Sequence, residues 1–221
     1  MPGSGSVQLY HGRSPTQSEL FSYFLTWGSS DLLIIDESNS FSSRTDGSRH
    51  YLTIVCCLVK DVERFKKVIK TFPVRKGTRV KYSNTKNADR RKVIKGIAEQ
   101  DIVIVESHLV IGPAVWDSLE AKKKLYMRVL SDAVGKALDA SQGHTVDVIL
   151  DTPPVPIDPE LATLFRHLDD VGHDVRWFET RRSASDVHLQ VHDFITGVVS
   201  DHVEDLDAQD LYSMVRGHVV E

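Results

Sequence analysis

Cysteine is nearly absent from this chain: its 221 residues hold two, Cys56 and Cys57, adjacent in an apolar run. Successive residues of a strand point to opposite faces, so this pair does not form an ordinary disulfide. Two thiols also exclude a zinc site built on four thiolates. Reduced cysteines fit a cytoplasmic location. Apolar runs are short, and none approaches the roughly 18 residues that cross a bilayer. Residues 1–6 lack the basic and apolar blocks of a secretory signal, so no membrane partner is expected. The phosphate-binding loops GxGxxG and GxxxxGK[ST] are missing, as is a GxSxG nucleophile elbow. Ten histidines form no HExxH spacing. Nucleotide-loop enzymes, zinc proteases and serine hydrolases of the elbow type therefore find no support.

What is present is an ordinary globular composition, 41% hydrophobic and 26% charged, which argues against disorder. The length suits one substantial core better than two. Residues 1–13 read as a flexible tail and residues 14–221 as a single domain. The net charge of −4 conceals an asymmetry. From Lys60 to Lys95 there are fourteen Lys and Arg against three acidic residues, whereas Asp201 to Asp210 holds five acidic residues and no Lys or Arg. The basic stretch points to a polyanion as one candidate partner.

Residues 14–27 carry a helix signal: Ser14 as cap, Pro15 in the first turn and Gln17 completing a capping box. Leu32 to Ile35 are four consecutive apolar residues, the mark of a strand buried on both faces. A polar stretch with an Asp46-Gly47 turn leads to a second apolar strand over residues 51–59, antiparallel to the first. Helices are expected over 61–71, 87–99, 116–140, 158–170 and 186–205. Strands are expected over 79–82, 101–110, 146–150 and 174–179, the first of these short. An acidic tail follows, with room for another helical turn or two. Early antiparallel strands followed by strands with intervening helices imply an α/β fold with a mixed sheet and helices on both faces. The strand pattern fits a ribonuclease H-like five-stranded sheet, with a flavodoxin-like or Rossmann sheet as the competing arrangement.

Three carboxylates share a pattern. Asp36 ends the first strand, Asp151 ends the strand Val146–Leu150, and Asp193 lies in the last long helix. If the two strands are parallel neighbours, their C-terminal ends coincide and Asp36 meets Asp151, where open α/β sheets commonly bind ligands. Carboxylates so close repel unless a cation neutralises them. A hard divalent ion, Mg²⁺ or Mn²⁺, suits a shell of carboxylates and water. Each aspartate also has a bland explanation, since Asp36 and Asp151 suit turns and Asp193 suits a solvated helix face. Glu37 joins Asp36 only if the strand bends, because side chains alternate. Glu106 is a further candidate ligand.

These motifs resemble the family known as "domain of unknown function 3800". Its Asp-Glu-Ser-Gly opening corresponds to Asp36-Glu37-Ser38-Asn39. Its last helix, Leu-Gln-x-Ala-Asp with Gly four residues on, corresponds to Leu189-Gln190-Val191-His192-Asp193 and Gly197. The resemblance spans roughly residues 31–205. It implies a ribonuclease H-like fold with metal-binding carboxylates at Asp36, Asp151 and Asp193, and Glu37 as an additional ligand. Asn39 replaces the family's Gly, and Asn tolerates left-handed backbone. His192 replaces a small Ala and reads as a core or surface histidine, with a supporting acid/base role as the alternative. Gln190, Asp193 and Gly197 share one helix face, and Gly197 is expected to let that helix approach the sheet.

Within the basic stretch, Lys81, Lys86, Arg90, Arg91 and Lys92 are the candidate phosphate contacts. The alternative is a pair of helices with solvated lysine faces. The expected function is a metal-dependent nuclease or phosphodiester hydrolase, with Asp36, Asp151 and Asp193 catalytic. A non-catalytic nucleic-acid- or protein-binding module on the same fold is the alternative. A hydrolase of small phosphate compounds is a third.

Overall fold

The computed structural model describes residues 30–38, 51–71, 80–111, 118–204, 206 and 209–220. The expected tail and the helix over residues 14–27 lie outside the described residues, as do Asn39 and the Asp46-Gly47 turn.

Among the described residues, six strands form one mixed sheet: β1 (Asp31–Ser38), β2 (Tyr51–Val59), β3 (Ile102–Val110), β4 (Val146–Asp151), β5 (Val175–Arg181) and β6 (Val219–Val220). Their order is β5-β4-β1-β2-β3-β6. β1, β2 and β3 run as an antiparallel meander, while β4 lies parallel to β1, and β5 parallel to β4. The helices are α1 (Val62–Thr71), α2 (Asn87–Ala98), α3 (Leu119–Ala140), α4 (Asp158–Asp170), α5 (Val187–Val203) and α6 (Gln209–Val215). None of the described helices is long and apolar enough to cross a membrane.

Alternation along the strands divides the core in two. Leu32, Ile34, Val55, Cys57 and Ile149 point to a layer with Phe65 of α1, Ile94 and Ile97 of α2, and the apolar side of α5. Leu33, Ile35, Ile54, Cys56 and Val148 point to the other layer, filled by α3 and α4. Central β1 is covered on both sides, which explains its unbroken apolar run. The neighbouring cysteines fall in opposite layers, and both are reduced. Burial pushes the Cys57 thiol up to about 12. The helix starts follow their caps. Ser118 Oγ accepts the Ala121 amide at α3, and Asp186 accepts those of His188 and Leu189 at α5. Gly172, at φ +100°, turns the chain from α4 to β5.

Two expectations need correction. The sheet has six strands rather than five, because Val219 and Val220 pair with Ile104 and Val105 at the β3 edge. Two residues are too short to show a period of two. The short strand expected over residues 79–82 is not formed at its described end. Tyr82–Asn84 is a 3₁₀ turn, closed by Asn84 N–H to Lys81 O and Thr85 N–H to Tyr82 O. Among the described residues no strand pairs with it, and Tyr82 is held instead by α5.

Candidate functional site

The parallel register sets Ile35 beside Leu150, so the next residues, Asp36 and Asp151, end neighbouring strands at the same level. Asp36 stands across from Val55, and Val55 packs in the α5 layer. Asp36 therefore faces α5, as does Asp151, two residues beyond Ile149. Asp193 comes from α5 itself. All three line one cleft of about 710 Å³.

Each carboxylate is fixed by backbone amides. Asp36 Oδ1 accepts the Glu37 amide at 2.9 Å. Asp151 Oδ1 accepts two, from Thr152 at 2.8 Å and from Ser183 in the loop after β5 at 3.0 Å. Asp193 Oδ2 accepts the Tyr82 amide at 2.6 Å. Asp36 is 5% exposed. Burial raises its pKa well above the usual carboxylate range, and the charges of Glu37, Asp151 and Asp193 raise it further. Asp36 is thus where the repulsion of the site concentrates. Among the described residues, no three His, Cys, Asp or Glu side chains close into a preformed metal cage.

β1 stays regular to Ser38, with Glu37 across from Ile54. The bend that would swing Glu37 to the face of Asp36 is absent. Glu37 leans toward α3, where the buried Tyr126 hydroxyl donates to its Oε2 at 3.3 Å. It still borders the cleft from the strand end. Burial and the nearby carboxylates hold the Tyr126 phenol well above its usual pKa, so it stays a donor. Glu106 lies across from Val55 on β3, two strands or roughly 10 Å from Asp36, and does not line the cleft.

His192 is a core residue. Fully buried, it donates from Nε2 to Ile34 O at 2.7 Å, while Nδ1 meets Thr196 Oγ1 at 3.0 Å. Burial lowers its pKa, so the ring is neutral and ties α5 to β1. Gln190 Nε2 donates to Ser183 O at 3.0 Å, bracing the loop that holds Asp151.

Gly197 serves a different contact from the one expected. A Cβ there would lie 2.3 Å from Tyr82 Cδ1 and 2.4 Å from Cγ. It admits the Tyr82 turn, not the sheet. Tyr82 also meets Phe194 edge-on at 6.0 Å, and its hydroxyl donates to Asp201 Oδ2 at 2.7 Å.

The basic candidates separate. Lys81 lines the cleft. Arg90 lies over the Tyr82 ring, 4.0 Å from its centroid, and donates from Nε to Tyr82 O at 2.9 Å. Arg91 pairs with Asp210 of α6. Lys92 is an exposed partner of Asp89 at 3.5 Å. Lys86 is exposed at the start of α2. Arg182, Asp201 and Glu204 also line the cleft and were missed from the sequence. The two acids follow Asp193 and Gly197 at helical spacing, which is the signal that would have found them. Arg182 has no such signal.

Comparison of the chain with protein-family models, curated proteins and solved structures returned no match.

Proposed function

We propose that the protein is a metal-dependent nuclease or related phosphodiester hydrolase of ribonuclease H-like architecture, as its resemblance to the "domain of unknown function 3800" family implies. One observation carries this reading: Asp36 and Asp151 end parallel neighbouring strands in the cleft that Asp193 enters from α5. The meander β1–β3 continued by parallel β4 and β5 favours the architecture.

The donor set fits Mg²⁺ or Mn²⁺, since carboxylate oxygens are the hard ligands these ions take. Mg²⁺ usually keeps several waters and uses one or two carboxylates together with substrate phosphates. An open carboxylate-lined cleft therefore suits it better than a closed cage. Bound there, such an ion would supply the charge that activates water and stabilises the leaving oxygen at phosphorus. Asp36, Asp151 and Asp193 would hold it, with Glu37 reaching it from the strand end. The amides of Thr152, Ser183 and Tyr82 keep two of these carboxylates aimed without consuming all their lone pairs. His192 keeps α5, and so Asp193, seated on β1.

Asp36→Asn, Asp151→Asn and Asp193→Asn are each expected to abolish Mn²⁺-dependent cleavage of oligonucleotides while the far-UV spectrum is retained. Full activity in all three would sink the reading. The alternative of a non-catalytic binding module is favoured by one feature: among the described residues, no three ligand side chains close into a preformed metal cage. It predicts salt-sensitive binding that survives those substitutions, with no turnover under any divalent ion.

A further inference from the structure

Two basic residues line the cleft, Lys81 and Arg182, against six acidic ones: Asp36, Glu37, Asp151, Asp193, Asp201 and Glu204. The arginines nearby are occupied. Arg90 holds Tyr82, and Arg181 is bound by Glu179 and Asp186. Among the described residues, the side chains of Lys81 and Arg182 make no hydrogen bond or ion pair. They are the charges the fold leaves available at the cleft.

Their placement is paired. Lys81 directly precedes Tyr82, whose amide holds Asp193. Arg182 directly precedes Ser183, whose amide holds Asp151. Each backbone segment that fixes a carboxylate thus brings one cation to the rim beside it. The two segments are far apart in sequence, one before α2 and one after β5, and reach the cleft from its Asp193 and Asp151 sides. Asp36 lies between.

We propose that Lys81 and Arg182 form a two-sided grip on the phosphates flanking the one that reacts. The grip rests on the nuclease reading for its substrate class, a single nucleic-acid strand. The physical need is direct. An acidic floor repels a phosphodiester, and a cation at each side offsets that repulsion where the neighbouring phosphates lie. Arg182 can take a phosphate through two parallel N–H bonds, and Lys81 acts as a point charge. Because these contacts are made before and during the reaction alike, they act on KM more than on kcat.

The test uses the full chain and a fluorescein-labelled oligothymidylate, with an oligouridylate alongside, in anisotropy titrations over a salt series. Lys81→Ala and Arg182→Ala are each expected to weaken binding about tenfold and to reduce the slope of log K against log salt by about 0.7. The double variant should lose both increments. Lys81→Arg and Arg182→Lys should keep the slope, which a merely structural role would not require. Lys124→Ala, on the exposed face of α3, should bind as wild type. In Mn²⁺-dependent cleavage, the two alanine variants should raise KM with little change in kcat. Unchanged affinity and slope in Arg182→Ala and Lys81→Ala overturns the grip, even if the protein cleaves. No binding by wild type at low salt overturns it as well. Loss of binding in those variants of a protein that never cleaves supports the grip and removes the nuclease reading alone.

Discussion

Gly197 and Tyr82 are in contact so close that no side chain fits between them: a Cβ on Gly197 would stand 2.3 Å from Tyr82 Cδ1. Two opposing effects decide what Gly197→Ala does. Replacing a helical Gly by Ala ordinarily stabilises by about 1 kcal/mol. Overpacking a filled site costs about 1–3 kcal/mol. The atoms met are Cδ1, Cγ and Cβ, the root of the Tyr82 side chain rather than a flexible tip, so the overpacking wins. The variant is expected to unfold at lower temperature and to lose cleavage, because the Tyr82 amide leaves Asp193. Tyr82→Ala should remove most of the Gly197→Ala penalty, a coupling that a double-mutant cycle reads directly. A Gly197→Ala protein more stable than wild type would show that the turn does not sit on α5.

Asp36 sits in an unfavourable electrostatic position, buried beside the charges of Glu37, Asp151 and Asp193. Asparagine can still accept the Glu37 amide but carries no charge. In EDTA at neutral pH, Asp36→Asn should raise the free energy of unfolding by roughly 1–3 kcal/mol. Added Mn²⁺ should raise the Tm of the wild type by mass action and leave that of the variant nearly unchanged. Destabilisation of the EDTA-treated variant would mean that Asp36 is a structural turn residue.

The sequence made β1, β4 and their terminal aspartates readable because both are buried strands, whose apolar runs announce themselves. The i, i+4 spacing of Asp193 and Gly197 was equally visible. What Gly197 faces was not, since Tyr82 is 115 positions away along the chain and no local pattern links them. The same holds for Arg90 and Arg91. Their charge was legible, but their engagement with Tyr82 and Asp210 depends on how α2 packs against α5 and α6. β6 escaped because two valines carry no period.

Strand alternation separates the two halves of the Asp36-Glu37 pair. Glu37 borders the cleft from the α3 side and is held by Tyr126. Glu37→Gln is therefore expected to retain a larger share of Mn²⁺-dependent cleavage than Asp36→Asn, by at least about tenfold. Tyr126→Phe should act in the same direction as Glu37→Gln but more weakly, since it removes one 3.3 Å hydrogen bond. Equal loss in Glu37→Gln and Asp36→Asn, measured as kcat/KM, would place Glu37 among the obligatory ligands.

Asp186 joins the loop behind Asp151 to the start of α5. It caps the helix through the His188 and Leu189 amides and pairs with Arg181 Nη1 at 2.7 Å. The His188 contact and the Arg181 charge outweigh its burial and hold the carboxyl well below its usual pKa. A depressed carboxylate pKa contributes stability above the unfolded value, about 3.9, and loses it as pH falls through the folded value. Asp186→Ala removes a cap and leaves the largely buried Arg181 with Glu179 alone, for a loss of about 2–3 kcal/mol at neutral pH. Asp186→Asn keeps a good cap and should lose less. Urea unfolding from about pH 7 down to about pH 2 should show the gap between wild type and Asp186→Asn constant above roughly pH 4 and closing below it. A gap that persists undiminished to the acid end would show that the difference does not come from the charge of Asp186.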